Sequence, residues 1–326
     1  MALFSSDELD QRVSKKLSLG EFAAISFILI LSISFVIKKT GDFVDYKAYL
    51  ATAKGDFSNY FYGYWLLPIF KLLGWLPFQV SYIVWIAASV IGVWFSARVF
   101  NGNPILALLS YQLACALFWG QITGIICGML GLFWWAIHHR KWNLAGIAFL
   151  VAAAKPQTGA LFITLLFLFS DTSFKEKFRI LVVPLLGFTA SLILYPGWIL
   201  EIISRNQSVY TAGNISLFQW VGPWALLLFL PSILVPMQKD SRFIILASTC
   251  ILTIPYFSHT DLIALFIFPV EMIPIILGFS PIFLSRYFSF ESQKACFIVP
   301  LFVIARNLFP AIANKVLISS RVKIFK

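Results

Sequence analysis

The sequence predicts an all-α fold: a polytopic transmembrane helix bundle of about 10–12 spans, with an extracytoplasmic first loop that carries short interfacial helices. Two observations predict it. Hydrophobic types make up 60% of the 326 residues and charged types 12%, with a mean hydropathy of +0.87, whereas a soluble domain carries about 25% charged residues. Charge-free runs also recur along the whole chain, parted by short basic or polar breaks. So few charges cannot cover a water-facing surface, and lipid becomes the solvent for most of it.

The elements follow in order. Residues 1–21 are polar and carry Arg12, Lys15 and Lys16 ahead of the first apolar run, which makes this segment cytoplasmic. Run 22–37 is too long and too poorly flanked for a cleaved signal peptide, so it reads as a retained first span crossing outward. The first outer loop, 38–77, holds a short helix over 45–54 and the aromatic stretch Tyr60, Phe61, Tyr62, Tyr64 and Trp65, suited to the membrane interface. Run 80–97 returns to Arg98. The uncharged stretch 104–137 is long enough for two crossings, hinged at Gly120-Gln121, and leads into His138-His139-Arg140-Lys141. Run 142–154 rises to Lys155-Pro156, and 157–170 descends to a basic cluster at 175–179.

Run 180–200 then rises into a second outer loop, 196–218. Run 214–238 descends to Lys239 and Arg242, and 243–257 rises to Ser258-His259-Thr260-Asp261. Run 262–285, interrupted by Glu271, descends, and 295–310 is a last span. Most basic clusters then share one side, as the positive-inside rule requires. Lys38, Lys39 and the C-terminal Lys315, Arg321, Lys323 and Lys326 strain the pattern, so either 262–285 is a hairpin or the final segment does not cross. With no internal repeat, 1–326 reads as one transmembrane domain.

The net charge of +11 fits contact with anionic headgroups, and no motif for reading nucleic acid accompanies it. Cys115, Cys127, Cys250 and Cys296 lie apart in apolar runs and read as small core residues. No metal-ligand cluster, P-loop or dinucleotide fingerprint is visible. Asn206-Gln207-Ser208 and Asn214-Ile215-Ser216 are formal glycosylation sequons of a kind that arises often by chance. Gly124 and Gly128 form a GxxxG pair, which points to close helix packing.

Polar groups at membrane depth are costly and point to function. Five places put them on the predicted outer side: Asp42 and Asp45, Gln121, Lys155, the loop around Arg205-Asn206-Gln207-Ser208, and His259 with Asp261. Asp42 suits the N-cap of the following helix, and Asp45 suits its first turn, where a carboxylate meets the helix dipole. Either carboxylate also has the chemistry of a general base. Lys155 reads equally as a snorkelling side chain or as a cation that holds a phosphate. Glu271 reads as an ion-coupling carboxylate or as the partner of a polar group in the bundle.

Taken together these segments resemble the GT-C superfamily of integral-membrane glycosyltransferases, and within it glycosyltransferase family 87, from about Gly41 to about Pro269. The stretches that carry the resemblance are Asp42-Phe43-Val44-Asp45-Tyr46 with Gly55, Tyr60, Leu67-Pro68 and Leu76-Pro77. With them go Gly120-Gln121, Ala145-Gly146 with Ala152-Ala153-Ala154-Lys155-Pro156, Asn206-Gln207-Ser208, and Tyr256-x-Ser258-His259-x-Asp261-Leu262. Trp65-Leu66 stands where relatives often have a proline-rich turn, and the segment after Pro281 matches little.

The resemblance implies inverting transfer of a hexose, in some members mannose, from a polyprenyl-phosphate donor to a lipid or glycan acceptor on the outer face of the cell membrane. It implies no cofactor and no nucleotide. Its partners would be membrane lipid, the lipid-linked sugar donor and a glycan or glycolipid acceptor. Asp42 would be the base and Asp45 the runner-up. Lys155 or Arg205 would stabilise the departing phosphate. Tyr46, Tyr60, Gln121, Asn206, Gln207, His259 and Asp261 would line the substrate site. The alternatives are a transporter or flippase of a lipid-linked substrate, and a non-catalytic scaffold.

Overall fold

The computed structural model describes residues 8–38, 40–205 and 213–310. Among the described residues there is no strand, only an isolated antiparallel bridge between Asn214 and Ser258. The chain forms two compact units. Residues up to 205 together with 260–269 make the first, and 213–259 with 270–310 make the second.

The first unit opens with α1 (Leu9–Ser14), α2 (Leu19–Lys38) and α3 (Val44–Thr52). A 3₁₀ turn (Tyr64–Leu66) leads into α4 (Leu67–Gly74), and α5 (Phe78–Val99) is the longest span. Then come α6 (Pro104–Leu108), α7 (Tyr111–Trp119), α8 (Thr123–His138), α9 (Trp142–Ala152), a π turn (Pro156–Ala160), α10 (Leu161–Phe169), α11 (Phe174–Leu194) and α12 (Trp198–Arg205). The helix starts follow local chemistry. Asn103 and Ser110 cap α6 and α7 with side-chain oxygens, and Ser173 with Glu176 forms a capping box on α11.

Helix α5 packs on α8, α8 on α9, and α9 on α11, while α2 lies against α5. Small residues set the α5–α8 contact. A Cβ on Gly92 would come within 2.8 Å of Gly124 O, and one on Gly128 within 2.8 Å of Gly92 Cα. The GxxxG reading holds, and the partner is the Ser89-to-Ser96 face of α5. Without a hydrophobic drive between helices in lipid, such backbone approach supplies the packing energy. On α11, Leu185, Leu186, Ile193 and Leu194 are exposed, as befits a face whose partner is hydrocarbon.

In the second unit, α13 (Phe218–Val221), a 3₁₀ segment (Gly222–Phe229), α14 (Leu230–Leu234) and α15 (Lys239–Thr253) precede the chain's passage through 260–269. There the first unit gains a 3₁₀ turn (His259–Leu262, its first residue in the second unit) and α16 (Ile263–Phe266). The second unit resumes with α17 (Met272–Leu277), α18 (Ser280–Phe288) and an apolar helical stretch, Glu291–Pro310. Ile245, Leu252 and Ile304 form its core under Leu217, Phe297 and Leu301.

Among the described residues four helices are long and apolar enough to cross a membrane, Leu19–Lys38, Phe78–Val99, Phe174–Leu194 and Glu291–Pro310. A fifth candidate is the pair α7 and α8, bent by 117°. Five further apolar helices are shorter than a full crossing, 10–17 residues each, so full-length candidates are fewer than the expected 10–12 spans. The predicted helix at 45–54 is α3. The predicted crossing at 262–285 is not one helix but three short ones, with a break at 267–271, where Pro269 stands, and another at 278–279; Pro274 and Pro281 sit in the first turns of the last two. Helix α4 was not anticipated; its aromatic approach masked an amphipathic start. The four cysteines are free, with Cys127 and Cys296 buried.

Candidate active site

The loop between α2 and α5 is bound to the helix ends around it. Phe43 adopts left-handed backbone (φ 51°), donates its N–H to Phe118 O at 3.2 Å and packs its ring 4.6 Å from that of Tyr82. That turn aims α3 across the mouth of α7. Gly120 ends α7 at φ 77°, and a Cβ there would lie 2.5 Å from Tyr46 Cβ, so only glycine admits α3 this close. Further along, Gly63 N–H donates to Ala154 O at 3.0 Å, and Trp65 Nε1 donates to Leu150 O at 2.8 Å. The loop is thereby fixed to the end of α9, beside Lys155. A Cβ on Gly159 would fall 1.8 Å from Ala152 O, so glycine is required where the π turn folds back.

These constraints gather four of the predicted residues at one end of the first unit. Lys155 is buried, and its Nζ donates to Asp261 Oδ1 at 2.5 Å, Thr123 Oγ1 at 2.8 Å and Gln121 Oε1 at 2.9 Å. Thr123 donates to Asp261 Oδ1 at 2.8 Å, and Thr260 donates to Gln121 Oε1 at 3.2 Å. Asp261 Oδ2 is buried and has no hydrogen-bond partner among the described residues. Gln121 Oε1 thus accepts from both Lys155 and Thr260, and the Gln121 side chain favours the ionised form of the Asp45 carboxyl.

Asp45 and Gln121 keep part of their surface open, whereas Lys155, Thr123 and Asp261 lie behind them, buried. Packing around Asp45 removes enough water to raise its carboxyl above the ordinary value. The Lys155 charge and the Gln121 side chain oppose that rise, and the Asp261 charge adds to it.

The remaining predicted residues fall elsewhere. Asp42 is exposed; its backbone carbonyl accepts from Lys47 Nζ at 3.0 Å, and its side chain does not cap α3, whose N-cap position is Phe43. The N-cap reading of Asp42 is thus corrected, because the left-handed turn at Phe43 starts the helix one residue later. Asp45 does sit in the first turn of α3. Tyr46 is buried against Tyr82 and Trp85, and Tyr60 is buried with its hydroxyl donating to Gly63 O at 2.9 Å. His259 is a buried residue of the second unit, its backbone N–H donating to Gly213 O at 3.0 Å. The Arg205 side chain, Asn206 and Gln207 lie outside the described residues.

Sequence reasoning missed Thr123 and Thr260. Each stands within two residues of a predicted site residue, Gln121 and Asp261, which is the signal that could have found them. Asn214, the second sequon, is buried. Its Oδ1 accepts from the N–H groups of Ser216 and Phe257 at 3.0 Å each, so it is a structural corner. Glu271 pairs with Arg306 at 2.8 Å, half-exposed, which matches the reading as one member of a polar pair.

The model of glycosyltransferase family 87 matches residues 60–235, more than half of the chain. The chain belongs to glycosyltransferase family 87. The match includes Gln121, Thr123 and Lys155, while Asp45 and Asp261 flank it on either side. Searches of curated proteins and of solved structures find no match. The family membership makes the protein a membrane glycosyltransferase, with lipid and a sugar donor and acceptor as partners.

The other end of the first unit has a different character. Arg98, buried, pairs with Glu21 at 2.8 Å and donates to the carbonyls of Lys15 and Lys16. His139 lies 3.0 Å from Asp10. Arg140 and Lys141 follow directly. The 16 residues of α8 separate this basic end from the Lys155 cluster by roughly 24 Å at 1.5 Å per residue.

Proposed function

We propose that this family 87 enzyme transfers a hexose from a polyprenyl-phosphate donor to an acceptor hydroxyl with inversion, using Asp45 as general base. The observation that carries the reading is the setting of the Asp45 carboxyl. It is partly open, in the first turn of α3, raised by burial, and within the electrostatic reach of the buried Lys155–Asp261 pair. Asp42, exposed and unattached to this cluster, is the weaker candidate.

In the proposed step the acceptor hydroxyl gives its proton to Asp45 as its oxygen attacks the anomeric carbon. The bond from that carbon to the phosphate oxygen breaks, and its electron pair leaves with the polyprenyl phosphate. A carboxyl raised above its usual value accepts that proton more readily than an ordinary one. Arg205 is the candidate for direct contact with the departing phosphate, since the three N–H groups of Lys155 are already engaged on protein acceptors.

The charge distribution supports action on the outer face. The basic end holding Arg98, His139, Arg140 and Lys141 is the end that the positive-inside rule assigns to the cytoplasm, and the Asp45 cluster lies at the far end of the same helices. Transfer is measured with purified protein in vesicles, a radiolabelled polyprenyl-phosphate mannose as donor and a host lipid extract as the source of acceptor. Asp45→Asn is expected to lower kcat by about 10²–10⁴-fold while the protein inserts and purifies normally, and Asp42→Asn to retain transfer. Full activity in Asp45→Asn would remove the proposed base.

A further inference from the structure

We infer that the start of α11, beside the α8–α9 loop, binds one anionic phospholipid, with the headgroup phosphate on Lys175 and Arg179 and an acyl chain along the exposed face of the helix. The site lies where α9 begins, whereas Lys155 follows the end of α9. It does not depend on the proposed transfer.

Three observations carry it. First, basic residues from two segments come together. A Cβ on Gly146 would lie 2.7 Å from Ile180 O and 2.8 Å from Val183 Cβ, and one on Gly187 would lie 2.4 Å from Leu150 Cδ2. Positions along α9 and α11 rise together across that contact, so the two helices run parallel and start at the same end. Arg140 and Lys141, just before α9, therefore stand level with Lys175, Lys177 and Arg179 in the first turns of α11. The Lys141 ammonium is 4.5 Å from the Trp135 ring, and that of Lys177 is 5.6 Å from the Phe167 ring.

Second, Lys175 and Arg179 are exposed and one turn apart, with exposed Phe174 and Phe178 beside them. Residues four apart on a helix stand about 5–6 Å from each other on one face, so both cations can reach one phosphate. The carboxylate of Glu176 is turned back onto Ser173, accepting from its N–H and its hydroxyl at 2.8 Å each. Asp171 lies ahead of the N-cap.

Third, the strip that carries Lys175 and Arg179 continues without charge through Val182, Leu186 and Ile193, all exposed. At 1.5 Å per residue, 182 to 193 spans about 16 Å, close to half of a hydrocarbon core of about 30 Å. That is the depth an acyl chain reaches in its own leaflet. A free phosphate would use the cations and leave this strip idle, whereas a phospholipid uses both. A zwitterionic headgroup would set its ammonium among Arg140, Lys141, Lys175, Lys177 and Arg179, so the anionic class is the one that fits.

The test takes the whole chain, stripped of lipid in detergent, and titrates it with phosphatidylglycerol or phosphatidylcholine while native mass spectrometry counts bound lipid. The first phosphatidylglycerol is expected to bind more tightly than phosphatidylcholine. A basic residue near anionic lipid is worth about fivefold in binding, so Lys175→Gln with Arg179→Gln should weaken that first site about 20–30-fold. Lys15→Gln with Lys16→Gln, also exposed and held at the basic end by Arg98, should change it by no more than about twofold, since both lie off α11. Equal affinity for the two lipids, or an unmoved α11 pair, would overturn the site. So would equal weakening by both pairs, which would mean a diffuse basic surface. Displacement of the lipid by glycerol phosphate as readily as by phosphatidylglycerol would overturn it too, since the acyl chain would then contribute nothing.

Discussion

Replacing Lys155 by Met leaves Asp261 as a buried carboxylate with its main counter-charge gone. Three hydrogen bonds to Nζ disappear together. Two acceptors keep a second donor, since Asp261 Oδ1 retains the Thr123 hydroxyl and Gln121 Oε1 retains that of Thr260. The dominant loss is therefore the uncompensated charge. Removing one partner of a buried ion pair costs about 3–5 kcal/mol, whereas replacing both by neutral groups is far cheaper. Lys155→Met with Asp261→Asn should then recover most of the loss. At roughly 2–4 °C per kcal/mol, the single variant should melt about 6–20 °C below wild type and the double variant within a few degrees of it. Thermal unfolding of purified protein in one detergent, followed by the monodisperse fraction remaining, measures both. If single and double variants melt together, or the single variant melts with wild type, Lys155 and Asp261 are not coupled and the account of the buried cluster fails.

Other predictions follow from single sites. The Asp45 carboxyl is raised in the folded state, so its stability contribution is present at low pH and is lost as pH rises through the folded value. Asp45→Asn should therefore raise Tm near neutral pH while abolishing transfer, and a lowered Tm at pH 7 would contradict the burial argument. Gly128→Val places a Cβ 2.8 Å from Gly92 Cα, backbone against backbone. It should destabilise by about 1–3 kcal/mol or more through overpacking, read as a lowered Tm, whereas Gly55→Ala, with open space around it but φ 83°, should cost about 1–2 kcal/mol through left-handed backbone strain alone. The Glu271–Arg306 pair is half-exposed, so Glu271→Gln should change stability by no more than about 1 kcal/mol and leave transfer intact. Loss of function there would favour a coupled transporter.

The helical membrane bundle was legible in the sequence because lipid leaves the chain few options. A backbone without water must satisfy its own hydrogen bonds, and apolar runs of spanning length then fix element type and order. The helix after the first span, the hinge at Gly120-Gln121, the GxxxG contact and the polar corner at Lys155 were all visible in this way. So was a shortlist of acidic, basic and amide side chains grouped on one side.

The sequence by itself therefore determined what the chain is made of and where it bends, and it named Gln121, Lys155 and Asp261 of the buried polar network. The resemblance put Asp42 ahead of Asp45, three residues on, and local pattern could not show their settings. The left-handed turn at Phe43 leaves Asp42 exposed and puts Asp45, half-buried, in the first turn of α3. Nor could local pattern find Thr123 and Thr260 or show that Lys155 is fully engaged, because those bonds join residues 32 to 139 positions apart. Local pattern carries helix periodicity and polarity. Which buried donors meet which acceptors is settled only when distant helices pack, and here that packing joins Gln121, Thr123, Lys155, Thr260 and Asp261 in one hydrogen-bonded network.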